Sequence, residues 1–232
     1  MESREFDKFA EEYSSLHRVN ITASGEAPEY FAEYKIRDLK RLVAGGIPSI
    51  DTGRFLDFGG GVGTSVPFFR KHFPSASLTC VDVSIKCLGI GVTQFGYPTS
   101  FVAFDGSHLP FPDLTFDCAF AACVFHHVPT ELHGRLFAEI WRVLKPSGKI
   151  MIYEHNPLNP LTVHAVNTCL FDENAVLIKA GMLRRGLECA GFRQAQIRYR
   201  VFFPRWLRWL RWMEDKLGWL PVGAQYFVAA TR

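Results

Sequence analysis

The chain has 232 residues and a mass of 26.3 kDa, which suits one domain with a modest extension and allows a large buried core. Apolar residues make up 48% and charged residues 21%, which excludes disordered, collagen-like and coiled-coil chains. The net charge of +3, from 26 basic and 23 acidic residues, is too small to imply a nucleic-acid partner.

The six cysteines are scattered without a C-x-x-C pair, most of them in apolar runs, and are expected to be reduced core residues. The first residues, MESREFDKFAEEY, are charged from the second position, unlike a signal peptide. No stretch approaches the roughly 18 apolar residues of a membrane span, so a cytoplasmic location is the expectation.

In chain order, Glu5–Leu16 and Glu29–Val43 carry helical patterns, and residues 1–50 are expected to form an N-terminal helical lid before a single domain over 51–232. Arg54–Phe58 is a short apolar strand, followed by glycines and a helical pattern through Val66, Phe69 and Phe73. Ser77–Asp82 reads as the second strand, Ser84–Phe95 as a helix capped by Ser84, and Ser100–Phe104 as the third strand. Phe116–Ala122, with few polar atoms, fits a strand covered on both faces.

Glu131–Leu144 bears a helical apolar stripe that ends at Lys145-Pro146-Ser147-Gly148. Lys149–Tyr153 follows as a fifth strand, then a helix over 173–190 closed by Gly191, a strand over Phe192–Phe202 and a last strand over Ala224–Ala230. Strands alternating with helices predict an α/β fold with a doubly wound, mostly parallel sheet. Such sheets bind ligands beyond the carboxyl ends of their strands.

The chemistry is therefore sought in the loops there. Between the first strand and its helix lies Asp57-Phe58-Gly59-Gly60-Gly61-Val62-Gly63-Thr64. Glycine lets a ligand approach the backbone closely, and the next helix offers unpaired N–H groups. A dinucleotide fingerprint starting at Gly59 needs glycine or alanine where Thr64 stands. The carboxylate of Asp57 also suits a ligand with a positive amine better than a pyrophosphate. Asp82 closes the second strand, placed to accept hydrogen bonds from two ribose hydroxyls.

The acidic-x-Gly-x-Gly-x-Gly pattern resembles motif I of the class I S-adenosylmethionine-dependent methyltransferases. The blocks Phe111-Pro112-Asp113 to Phe116-Asp117, Phe125-His126-His127-Val128 and Arg142 to Gly148 resemble the subgroup that includes ubiquinone- and menaquinone-pathway enzymes. Gly60, where Cys, Ser or Ala is common, and Ser147, where Gly is common, depart from the pattern.

The resemblance implies a Rossmann-like seven-stranded sheet of order 3-2-1-4-5-7-6, the seventh strand antiparallel, with S-adenosylmethionine as cofactor. It implies a cofactor site of Asp57, Gly59, Gly60, Gly61, Gly63, Asp82, Val83, Asp105, Gly106 and Ala122, with Tyr13 from the lid. Asp82 would grip the ribose and Asp105 the adenine amino group, flanked by Phe104 and His108. The stretch around Asp117 and Ala121–Phe125 would meet the methionine moiety.

Methyl transfer needs in-line positioning and exclusion of water, with a general base only as an option. His126 and His127 after the fourth strand, and Glu154 and His155 after the fifth, are the candidate bases. Asn156, Asn159 and His164, from a loop with two Asn-Pro pairs, are candidates for the acceptor side.

In Arg205-Trp206-Leu207-Arg208-Trp209-Leu210-Arg211-Trp212-Met213, Arg and Trp each recur every third residue. The favoured expectation is a packed helix whose arginine stems cover the rings, with peripheral membrane contact through Trp206–Trp212 as the other reading. No metal site is marked, because the histidines and acids lack ligand spacing. The predicted function is methyl transfer to a small-molecule or lipid-linked acceptor. A non-catalytic S-adenosylmethionine-binding module and an NAD-dependent oxidoreductase are the rivals.

Overall fold

A computed structural model describes residues 25–44, 50–169, 172 and 174–232. Seven strands form one sheet: β1 (Arg54–Phe58), β2 (Ser77–Asp82), β3 (Thr99–Ala103), β4 (Phe116–Ala122), β5 (Leu144–His155), β6 (Arg193–Arg200) and β7 (Gln225–Thr231). Their order is β3-β2-β1-β4-β5-β7-β6, as expected. Pairing is parallel from β3 through β5, and β7 runs antiparallel to both its neighbours.

β6 thus points the same way as β5. His155, Gln225 and Arg200 lie side by side across β5, β7 and β6, at the carboxyl edge where β1, β2 and β4 also end.

The helices are α1 (Pro28–Val43), α2 (Val66–His72), α3 (Ile85–Phe95), α4 (Thr130–Val143), α5 (Pro160–Asn167), α6 (Ala180–Cys189) and the short α7 (Glu214–Leu217). One face of the sheet is buried with α4 and α6, through residues such as Leu56, Val81, Leu136, Phe137, Ile152 and Leu183. The other is buried with α1 and α2, where Ile36, Leu39 and Val43 join Phe55, Phe69 and Phe73. The central strands read as unbroken apolar runs because both faces are covered.

The apolar stripe of α1 is buried in the core, and the helix is pinned to the body by polar contacts. Asp38 accepts from the Tyr153 hydroxyl and, at 2.8 Å, from Arg200, while Tyr34 donates to Glu214 at 2.9 Å. The first helical pattern, over 5–16, and Tyr13 lie outside the described residues.

Several boundaries move: β5, expected over Lys149–Tyr153, already starts at Leu144 and runs to His155, and β6 is confined to Arg193–Arg200. The helix expected from residue 173 begins at Ala180. α5 stands where only an extended loop was read, with Pro160 in its first turn and Asn159 as its cap.

Candidate functional site

The glycine turn after β1 holds the conformation its sequence implies. Gly59, Gly61 and Gly63 have φ of 75°, 50° and 82°, a region that L side chains enter only at a cost. Gly59 and Gly60 donate to the Val81 carbonyl at 2.8 and 3.1 Å, tying the turn to β2. A Cβ on Gly59 would stand 2.5 Å from Val124, so the turn packs directly on the segment after β4.

At Gly61 the outcome is different. Among the described residues, a Cβ there would meet only Asp82 Oδ2, at 3.9 Å. As far as the described residues go, the turn is a cradle open on one side, with a carboxylate at its wall.

Asp82 accepts from Gly61 N–H at 2.9 Å through Oδ2 and from Ser84 N–H at 2.9 Å through Oδ1. Asp57 is buried beneath the turn and accepts from the Ser65 hydroxyl. Burial pushes its carboxyl up to about 7, against the Ser65 hydrogen bond and with the Asp82 charge adding to the rise. Asp57 therefore braces the turn from below.

After β3, Asp105 is exposed and Gly106 has φ of 81°. Asp105 Oδ1 accepts from His108 N–H and Ser107 N–H, both at 2.7 Å, and from the Ser107 hydroxyl at 2.9 Å. These bonds, His108 foremost, hold its carboxyl down at about 2. Val83 and Phe104 are buried at this edge. Arg142 anchors the following loop through the Leu109 and Phe111 carbonyls, Asp113 and Glu139. Asp117 sits at the far end of β4, bonded to Lys145 and Arg54 N–H, away from the carboxyl edge.

At the end of β4, Ala122 leads into Cys123, Val124 and a 3₁₀ turn over Phe125–His127. Glu154 is fully buried here, and its Oε1 accepts from Val124 and Phe125 N–H at 3.1 and 2.7 Å. Its Oε2 meets His126 Nδ1 at 2.6 Å, and His126 Nε2 lies 3.6 Å from Asp172. Burial works against a charged His126, but Glu154 and then Asp172 carry it up to about 10. Burial and the His126 charge instead drive His127 down to about 3.

Glu154 is occupied on both oxygens, the Glu154 and Asp172 carboxylates favour a charged His126, and burial beside that charge favours a neutral His127. They form a structural ion cluster that shapes the loop. His126, His127 and Asp172 also bring three ligand-type atoms within 4.8 Å of one another, a juxtaposition the sequence spacing did not reveal.

The residues that sequence reasoning missed stand beside His155. Cys123, with φ of 60°, places Sγ 3.0 Å from Lys35 Nζ of α1 and 3.8 Å from Gln225 Nε2. Burial would raise this thiol, but Lys35, and His155 by charge and hydrogen bond, bring it down to about 6. Gln225 Oε1 is buried without a hydrogen-bond partner among the described residues. Cys80 and Cys118 fit the expected inert core cysteine, with thiols pushed up mainly by burial.

Asn156 and Asn159 spend their amides on backbone. Asn156 donates to the Pro221 and Gly223 carbonyls and accepts from Leu158 N–H. Asn159 donates to the Val222 carbonyl and caps α5 by accepting from Thr162 N–H. His164 is exposed on α5.

Residues 56–152 match a family model described as a methyltransferase domain. The chain is 31% identical over 123 residues to the ubiquinone/menaquinone biosynthesis C-methyltransferase UbiE of Hahella chejuensis, covering 50% of this chain and 49% of that protein. It is 30% identical over 162 residues to the demethylmenaquinone methyltransferase of Thermobifida fusca, covering 67% of this chain and 62% of that protein. The match to the Hahella relative thus spans about half its length. A SAM-dependent methyltransferase structure from Thermotoga maritima superimposes with a TM-score of 0.68 at 18% identity, covering 98% of each chain.

Proposed function

We propose that this chain, whose residues 56–152 match a methyltransferase-domain model and whose sheet has the order β3-β2-β1-β4-β5-β7-β6, is a class I S-adenosylmethionine-dependent methyltransferase that methylates a small lipid-linked acceptor by in-line displacement. The observation that carries this reading is the open cradle at Gly61 with Asp82 at its wall. The cradle, Asp82 and the exposed Asp105 would hold, in turn, the amino-acid end, the ribose and the adenine of the cofactor. When bound, the cofactor supplies a methyl carbon activated by its sulfonium.

The protein's own residues then position and shield. Val124 closes against Gly59, and the Glu154 anchor fixes Val124 and Phe125 by their backbone N–H groups, so the wall beside the cradle is rigid. With the His126 cluster internally satisfied, Cys123 and His155 are the groups at this edge suited to accept a proton from the acceptor, and Lys35 stabilises negative charge there. The half-length similarity to quinone-pathway methyltransferases supports an aromatic, lipid-linked acceptor.

The test is transfer of labelled methyl from S-adenosylmethionine to a demethylmenaquinone-type quinol and to short water-soluble quinols. Labelling of the lipid-linked compound supports the reading. Labelling of neither, by protein that binds S-adenosylhomocysteine, overturns the acceptor assignment.

A further inference from the structure

The segment Arg205–Met213 is a 3₁₀ element, broken at Leu207, in the crossover from β6 to β7. Trp206, Trp209 and Trp212 are 75%, 68% and 68% exposed, and Trp219 follows at 69%. This overturns the expectation of a packed helix with covered rings.

With about three residues per turn, side chains three apart align in rows. Leu207, Leu210 and Met213 form the half-buried row against the protein. The tryptophans form an outward row, and Arg205 and Arg208 are exposed beside it. Arg211 turns inward to Glu26 and the Phe203 carbonyl, and its guanidinium lies over the Tyr30 ring. The element is thereby clamped to the body with its rings held outward.

The local acids are already engaged. Glu214 is buried and accepts from Tyr34 and from Phe202 N–H, and Asp215 pairs with Arg200. The exposed charge beside the tryptophans is therefore basic: Arg205, Arg208 and Lys216, the last over the Trp212 ring at 5.5 Å. Indole rings with a polar N–H and an apolar body suit the headgroup layer of a bilayer, and arginines beside them suit anionic lipid. No described helix is long and apolar enough to cross a membrane, so such contact lies on the surface.

We infer that the tryptophan row from 206 to 212, with Trp219 and the flanking arginines, docks this protein on an anionic lipid bilayer. β6 ends, and β7 begins, at the same sheet edge as the glycine cradle. Docking therefore turns that edge toward the bilayer, where a lipid-linked acceptor resides. This orientation rests on the proposed function, whereas the docking itself does not.

The test is flotation of the full chain with vesicles of phosphatidylcholine alone or mixed with phosphatidylglycerol, with bound S-adenosylhomocysteine measured separately. Binding about tenfold stronger to the anionic vesicles, weakened by salt, is expected. The triple variant Trp206→Ala/Trp209→Ala/Trp212→Ala should lose at least about tenfold in partition. Arg205→Glu/Arg208→Glu should lose the anionic preference. Both should bind S-adenosylhomocysteine as the wild type does, which verifies their folding. No flotation of the wild type, an unaltered triple variant, or a dimer that buries the tryptophans overturns the inference. Loss of S-adenosylhomocysteine binding with flotation intact would instead strike the proposed function.

Discussion

Replacing Lys35 by Met removes the ammonium 3.0 Å from Cys123 Sγ, the largest influence that opposes the burial of that thiol. With the thiol at about 6, about 90% is thiolate at pH 7, against about 3% for an ordinary cysteine near 8.5. A less basic thiolate is also a weaker nucleophile, by about tenfold for this difference. The rate advantage at pH 7 is then only about threefold, and the pH profile is the sharper readout.

Iodoacetamide labelling followed by peptide mass spectrometry separates Cys123 from the exposed Cys189. For the wild type, the labelling rate at Cys123 should rise to a plateau with a midpoint near pH 6. In Lys35→Met the midpoint should move above about 8. A wild-type midpoint near 8.5, or one unmoved by the substitution, would refute the charge arrangement described for this edge.

Three more outcomes follow from the same geometry. Gly59→Ala forces a Cβ to 2.5 Å from Val124 at a φ of 75°, so chemical denaturation should show a loss of about 2–4 kcal/mol. His126 is raised to about 10 from about 6.5 when unfolded, so its stabilising share is whole below about pH 6.5 and fades as pH climbs through about 10. Thermal melts across that window should fall for the wild type and run flatter for His126→Asn, whereas a rising wild-type curve would contradict the cluster. Asn159→Ala removes the cap on Thr162 N–H and should cost about 1 kcal/mol, with no change in the KM for acceptor; a raised KM would restore the loop to the acceptor side.

The sheet, its order and the glycine turn were legible because their signals are local. A buried parallel strand is an apolar run, the turn between Phe58 and Val66 needs its glycines, and Asp82 closes a strand at fixed distance from them. The roles at the carboxyl edge were not legible, since they depend on which side chains meet across the fold. Glu154 and His126 are 28 residues apart in sequence and satisfy each other. Lys35 reaches Cys123 from 88 residues away.

The positive φ of Cys123 leaves no mark in composition, and an apolar neighbourhood made it read as core. The two Asn-Pro pairs stand out in the sequence, but a capping amide and a ligand-binding amide look alike in a string of letters. In the Arg-Trp-Leu repeat the period of three was plain. Which of its three rows faces the protein was settled by packing.

The central claim is that Asp82 and the glycine turn form one cofactor cradle, and calorimetric titration of S-adenosylhomocysteine tests it most directly. The wild type should bind one molecule per chain. Asp82→Ala should bind about 100-fold more weakly, as expected for losing charge-assisted hydrogen bonds to two hydroxyls, with its folding checked by circular dichroism. A folded wild type that does not bind, or an Asp82→Ala that binds equally well, contradicts the account.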